Sequence, residues 1–255
     1  MILTDTHAHL YSSQFNEDRS EMMQRAFDAG VSRFFLPAID SGYLDAMFQF
    51  EKDYPEHAHL MMGLHPTSVK ENVEEELAIV RKWLEKRKFC AIGEIGIDLY
   101  WDKTFFKEQQ HAFRTQIQWA KEFKLPIVIH CRESFDEIFE ILEEEKSDDL
   151  FGIFHCFTGT LEQAHKAISY NMKLGIGGVV TFKNGKIDQF LHEIPLEHIV
   201  LETDAPYLAP APFRGKRNES SYLTLVAEKL ATIYNKTPEE IASITTANSK
   251  EIFGV

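Results

Sequence analysis

The chain has 255 residues, 44% of them apolar, and 27 Lys and Arg against 40 Asp and Glu, for a formal net charge of −13. That length and apolar share exclude a disordered chain, and the acidic balance excludes capture of nucleic acid by a global positive field, so any grip on phosphate must be local or come from bound cations. No run approaches the roughly 20 apolar residues of a membrane span, and the isolated cysteines Cys90, Cys131 and Cys156 are expected as reduced thiols of a cytoplasmic protein.

Short β-branched runs begin near Ile2, Val31, His59, Cys90, Pro126, Leu150, Lys173 and His198. They recur about every 28 residues, the pitch of one strand, one helix and two loops. Between them lie amphipathic stretches with helical spacing. Phe105 to Phe123 carries Phe113, Ile117, Trp119 and Ala120, and Phe135 to Glu145 is similar. Gly30, Pro55, Pro126 and Gly152 punctuate the rhythm. From Ser221 to Phe253 two or three closing helices are expected, with Thr237 as an N-cap and Pro238 at N1. Eight βα units of even pitch, with no linker between them, predict an α/β chain folded as a single (β/α)8 TIM barrel domain over residues 1–255. An open doubly wound sheet is the competitor. Where it would carry G-x-G-x-x-G, this chain has Asp5-Thr6-His7-Ala8-His9.

Such barrels place their chemistry at the C-terminal ends of the strands, and these ends are unusual. The first run closes on His7 and His9, the third on His65, and the fourth on Glu94 and Asp98. The fifth closes on His130-Cys131-Arg132, the sixth on His155, and the eighth on Glu202-Thr203-Asp204. Residues two apart in a strand share a side, so His7 and His9 are expected to face the axis with Cβ atoms roughly 6.5–7 Å apart. Each residue alone has an ordinary reading: a hydrogen-bonded core histidine, a cap, or a turn aspartate. Together, acids and imidazoles buried at one mouth need a compensating charge, which divalent cations supply.

The run of motifs resembles the TatD-related metal-dependent deoxyribonucleases, a branch of the amidohydrolase-like barrels. The matching pieces are D-T-H-A-H-L at 5–10, G-L-H-P at 63–66, G-E-I-G-I-D at 93–98 and I-H-C-R at 129–132. H-C-F-T-G at 155–159, L-E-T-D-A-P-Y-L at 201–208 and R-G-K-R-N at 214–218 complete them. In order, they cover essentially the whole chain. The resemblance implies two divalent ions per chain, with His7, His9, Glu94 and Asp204 around the first and Glu94, His130 and His155 around the second. Six ligand side chains exceed one tetrahedral zinc but suit two ions sharing a carboxylate. The donor mixture leaves Mg, Mn and Zn open. One departure is local: the family usually has Pro soon after the Asn of the last motif, where Glu219-Ser220 stands here, and only a small loop change is expected.

A pair of ions suits hydrolysis of DNA phosphodiesters, on single strands or ends, with Asp204 as general base beside Glu94. Glu202 and Asp98 are read as acceptors that fix imidazole tautomers, or equally as structural ion pairs. His65, Arg214 and Lys216 are expected to contact substrate phosphate, Tyr207 or Phe213 to pack or to stack on a base, and Arg132 to point away from His130, equally open to a wall-side ion pair and to a substrate contact. The rival reading keeps the barrel but hydrolyses small amides, lactones or aminoacyl esters, which the negative charge favours; a relict, non-catalytic metal scaffold is the third. Neither a membrane nor an obligate protein partner is implied, and a monomer is the default expectation.

Overall fold

The computed structural model describes residues 1–255. Strands β1 (Leu3–Asp5), β2 (Val31–Leu36), β3 (Ala58–Met62), β4 (Ala91–Asp98), β5 (Ile127–Arg132), β6 (Gly152–Phe154), β7 (Met172–Ile176) and β8 (Ile199–Leu201) form one parallel sheet in sequence order. The sheet closes on itself at the C-terminal end of β8. The Thr6 amide donates to Leu201 O (3.0 Å), His9 N to Ala205 O (2.7 Å) and Asp204 N to His7 O (2.9 Å). The expected (β/α)8 barrel is therefore present, its strands starting within two residues of the predicted points.

Helices α1 (Arg19–Asp28), α2 (Leu44–Asp53), α3 (Val73–Lys86), α4 (Phe106–Phe123), α5 (Phe135–Glu144) and α6 (Leu161–Ser169) each follow a strand, and α7 (Leu223–Tyr234) and α8 (Pro238–Phe253) close the ring. Thr237 caps α8 in a capping box, its hydroxyl accepting from Glu240 N and its amide donating to the Glu240 carboxylate. The rhythm breaks once. Between β7 and β8 there are only short 3₁₀ turns from Gly178 to His198, in a segment that Gly177, Gly178, Gly185 and Pro195 break into pieces no longer than the stretch from Lys186 to Ile194. No helix is long and apolar enough to cross a membrane.

Strand parity sorts the core into two sets. Phe34, Leu36, Leu60, Met62, Ile92, Ile127, Ile129 and Phe154 face outward against the helices. Phe35, Met61, Ala91, Val128, Ile153 and Val200 fill the barrel's lower interior, sealed from below by Ile252 and Phe253. Two residues further along the same side come His130 after Val128, His155 after Ile153 and Glu202 after Val200. The apolar floor and the polar mouth are thus successive layers of one interior column. Strand β4 needs a correction to stay in phase, and a register shift between Gly93 and Ile95 provides it, turning both Gly93 and Glu94 inward as a bulge does. Two buried glutamines of α4 fix the upper rim: Gln109 Oε1 accepts from Asp98 N (2.9 Å) and Gln116 Oε1 from Leu64 N (2.7 Å).

Phe253 stacks on Phe35 with ring centroids 4.0 Å apart, so the last turn of α8 is the plug of the barrel. Replacing Phe253 with Ala is expected to lower unfolding stability by about 3 kcal/mol, read from urea midpoints. An unchanged midpoint would mean that the lower core does not need this plug.

Candidate metal centre and active site

Glu94 is the hub. It is 1% exposed and surrounded by imidazoles. Its Oε2 lies 3.0 Å from His7 Nε2 and 3.6 Å from His9 Nε2. Its Oε1 lies 2.7 Å from His130 Nδ1, 3.2 Å from His65 Nε2 and 3.5 Å from His155 Nε2. Asp204 Oδ1 stands 3.8 Å from His7 Nε2 and 3.7 Å from His9 Nε2. His7 and His155 lie face to face, ring centroids 3.5 Å apart. All six residues read as metal ligands from the sequence converge at one mouth. Three overlapping groups have geometry that could hold an ion: His7 with His9 and Glu94, His7 with His155 and Asp204, and His65 with Glu94 and His130.

His7 and His9 lie beyond the last residue of β1 rather than within the strand. Ala8 between them bridges to Ala205, so an extended backbone keeps both rings inward, their centroids 5.2 Å apart. Asp204 sits at φ +58 and Cys156 at φ +45, backbone conformations that non-glycine residues adopt only where surrounding bonds hold them. The Asp204 amide donates to His7 O (2.9 Å), and Cys156 N donates to Glu202 Oε1 (2.7 Å). Neighbouring backbone must also be close. A Cβ on Gly96 would collide with the His130 carbonyl oxygen, and one on Gly175 with the Glu202 carboxylate.

What stands behind each imidazole sets which inward nitrogen is bare. Tyr11 Oη donates to Pro37 O and lies 3.0 Å from His9 Nδ1, so it accepts from that nitrogen and leaves Nε2 without a proton. Asp98 Oδ2 lies 2.8 Å from His130 Nε2, and Glu202 Oε1 is 3.0 Å from His155 Nδ1. Acceptors behind three rings thus turn the opposite nitrogen of each toward Glu94, where it can serve a cation once it carries no proton, as in metal sites whose ligand histidines are oriented by carboxylates. His65 is the opposite case. Its Nδ1 accepts from Thr67 N (3.1 Å), so the proton is on Nε2, which points at Glu94 Oε1 as a donor. The structure therefore brings His65 into the cluster but with the polarity of an anion-binding group.

Burial and charge shift these groups in different directions. Burial would raise Glu94, but His65, His7, His155 and the hydrogen bond from His130 outweigh it and hold the carboxyl well below its ordinary range. Burial pushes His7 and His65 down. For His155 burial also works against charge, yet Glu202 and Glu94 prevail and push it up to about 10. His130 is raised by Asp98 and Glu94 against the same burial. Asp204 is pushed up to about 6 by burial, with His155 and His9 opposing. Both ring nitrogens of His7, Nδ1 of His155 and Oε2 of Glu202 are buried without a hydrogen-bond partner. The short distances from His7 Nε2 and His155 Nδ1 to carboxylates are off hydrogen-bond alignment. Orphaned nitrogen donors around a depressed carboxylate fit divalent cations.

The cluster forms the floor of a cavity of about 780 Å³, whose rim includes Arg214, Lys216, Tyr207 and Arg132. Of the cationic loop, Arg217 faces elsewhere and pairs with Asp18 at 2.6 Å. Phe213 stacks on Tyr222 with centroids 4.3 Å apart, taking the packing alternative over the base-stacking one. Arg132 corrects its reading: positions 130 and 132 share a side of β5, so it lines the cavity instead of the wall and makes no ion pair. At the departure from the family pattern, Glu219 pairs with Arg25 (2.6 Å) and Ser220 Oγ donates to Asp5 Oδ2 (2.6 Å). Asp5 also accepts from Thr203 N and Oγ1 (2.9 and 2.6 Å), clamping β1 to the end of β8. Nothing local in the chain marks this clamp beyond the polar residues themselves.

A family description, TatD related DNase, matches residues 4–254. The chain belongs to the TatD-related DNase family. It is 41% identical to an uncharacterized metal-dependent hydrolase, YabD, of Bacillus subtilis across the full length of both chains. The crystal structure of YjjV, a TatD homolog from Escherichia coli, superposes with a TM-score of 0.93 at 30% identity, covering 99% of this chain and 98% of that one. A TatD family hydrolase from Entamoeba histolytica, at 22% identity, 99% and 98% coverage and a TM-score of 0.84, shares the fold. As a TatD-type metal-dependent hydrolase, the chain carries its candidate ligands at or just beyond the ends of β1, β5, β6 and β8, with Glu94 inside β4 at its register shift.

Ligation requires a bare nitrogen, and His155, raised to about 10, holds its proton at neutral pH. Cation binding must therefore expel it, and affinity should rise about tenfold per pH unit for each proton released. Calorimetry of Mn²⁺ binding in buffers of different ionisation enthalpy is expected to show this release, diminished by Glu202→Gln, which lowers the His155 pKa. Binding without proton release and independent of pH would contradict the role given to His155.

Proposed function

We propose that the chain hydrolyses DNA phosphodiester bonds at single strands or ends, with two divalent cations between His7, His9, Glu94 and Asp204 on one side and Glu94, His130 and His155 on the other. Mg²⁺, Mn²⁺ or Zn²⁺ would suit these donors. The observation that supports it most is the pairing of two functions in one cavity. Imidazoles and carboxylates form the floor, and Arg214 and Lys216, neither in an ion pair, stand at the rim of a protein with net charge −13. When bound, such cations lower the pKa of water and neutralise charge on phosphoryl oxygens.

The chain's own residues do the rest. Glu94 presents one carboxylate oxygen to each half of the cluster and so joins them. Asp98 and Glu202 stand behind His130 and His155 and, once the inward proton has left, keep each ring in the tautomer whose inward nitrogen is bare. Asp204, whose burial pushes its carboxyl up to about 6, is matched to taking a proton from water near neutral pH. His65, neutral and with its proton on Nε2, donates to a non-bridging phosphate oxygen. Arg214, held over the Phe182 ring at 4.3 Å, and Lys216 contact the next phosphate. We place the enzyme in the cytoplasm as a monomer, in keeping with its three free cysteines. The negative net charge also favours a second reading, small esters or amides as substrates at the same site.

End-labelled single-stranded DNA incubated with the protein and Mn²⁺ or Mg²⁺ is expected to be trimmed. Asp204→Asn, isosteric but a poor base, should lower the rate at least about a hundredfold while leaving the circular dichroism spectrum unchanged. Activity that survives Asp204→Asn would overturn the assignment, and lactones or amides turned over faster than oligonucleotides would establish the second reading.

A further inference from the structure

Exposed large apolar side chains are few, and they are not scattered. Apart from Met1, Ile2 and Val255 near the chain ends, the ones most open to solvent are Tyr43, Tyr100, Trp101, Tyr207 and Leu208. Tyr43, Trp101, Tyr207 and Leu208 line the catalytic cavity, and Tyr100 touches Trp101, ring centroids 4.8 Å apart. A ring of aromatics left in water around one mouth, in a protein that buries its other large apolar groups, marks a contact surface for whatever enters.

One side of that ring is built. Arg132 lays its guanidinium 3.8 Å from the Tyr100 ring centroid and 5.4 Å from that of Trp101. It has no carboxylate partner, although acidic residues outnumber basic ones 40 to 27. The loop is tied directly to the reacting centre. Asp98 Oδ1 accepts from the amides of both Tyr100 and Trp101 at 3.0 Å, while its Oδ2 holds His130 Nε2 at 2.8 Å. The Leu99 amide donates to Arg132 O at 3.0 Å. A single carboxylate therefore sets the position of an inner imidazole and of a two-thirds exposed indole, 67% open to solvent, on the same wall of the cavity.

We propose that Trp101, with Tyr100 and Arg132, is a stacking platform for one unpaired nucleobase of the substrate strand, the guanidinium meeting the adjoining phosphate. This deepens the nuclease reading by assigning the base subsite. An indole face accepts any base, so the platform selects for unstacked ends and against duplex without reading sequence. Arg214 and Lys216 lie on the loop after β8, and Trp101 on the loop after β4. A strand crossing the cavity would thus meet cations at one rim and an aromatic face at the other, with the scissile phosphate over Glu94 between them. The energy of one such stack corresponds to roughly a tenfold change in apparent affinity.

The test uses a single-tryptophan protein, Trp83→Phe with Trp119→Phe, both half-buried helix residues away from the cavity. Its Trp101 emission is titrated with tetrathymidylate and with an abasic strand of equal length and charge. Saturable quenching by the first and none by the second is expected. In parallel, hydrolysis in Mn²⁺ is measured for a strand with a normal or an abasic terminal residue. Trp101→Ala should raise KM for the normal strand about tenfold and erase the preference over the abasic one, and Trp101→Phe should restore it. Equal response of Trp101 to both strands, or no response, would overturn the platform whatever the hydrolysis shows. Quenching that follows protein concentration instead of added strand would also overturn it, assigning the rim to a second copy. Base-dependent quenching with no hydrolysis of any nucleic acid would sustain the platform and overturn the nuclease reading instead.

Discussion

A carboxylate buried among imidazoles is the constraint on which this molecule turns. Glu94 cannot be left charged in an apolar interior, nor can five histidines around it all be left neutral and unpartnered. The fold answers by making the site a layer of the barrel itself. Val128, Ile153 and Val200 form an apolar floor, and the next inward residues on their strands are His130, His155 and Glu202. The bulge that brings Glu94 inward belongs to the same solution, since without it β4 would present Ile95 at this level. Cations held between these donors would neutralise what hydrogen bonds alone leave orphaned, above all Nε2 of His7.

The groups behind the rings then divide the cluster into two kinds of function. Tyr11 and Asp98 accept hydrogen bonds from the outer nitrogens of His9 and His130, and the Glu202 carboxylate stands 3.0 Å behind that of His155, so the inner nitrogens are the ones open to a cation. Thr67 gives a proton to His65 and leaves an N–H inside. The same residue type, a few ångströms apart, becomes ligand or anion donor according to one neighbour. Asp98 acts twice, since its second oxygen anchors the loop that carries Tyr100 and Trp101. The chemistry at the floor and the surface at the rim are coupled through that side chain.

Much of this was legible in the sequence, because barrel strands repeat at an even pitch and chemistry gathers where they end. The eight runs, the capped start of α8 and the histidines and acids at the strand ends could all be read before any coordinates. Other features depend on three dimensions. The missing helix after β7 was masked by the regular spacing of the apolar runs, although Gly177, Gly178, Gly185 and Pro195 argued against it. Strand parity along β5 places Arg132 on the side of His130, against the expectation of a wall-side residue. Tyr100 and Trp101 look like ordinary loop aromatics until exposure and the Asp98 hydrogen bonds set them apart. The polarity of His65 depends on a backbone amide two residues on, and the Asp5–Thr203–Ser220 clamp joins segments about two hundred positions apart, beyond any local pattern.

Everything in the proposed chemistry rests on Glu94 being the anion that two cations share. Diffraction from crystals soaked in Mn²⁺ or Zn²⁺, recorded on both sides of the metal absorption edge, addresses it most directly. Two anomalous peaks are expected, one on each side of the Glu94 carboxylate, the first against His7, His9 and Asp204 and the second against His130 and His155. Peaks that bypass Glu94, or a single peak at saturating metal, would contradict it.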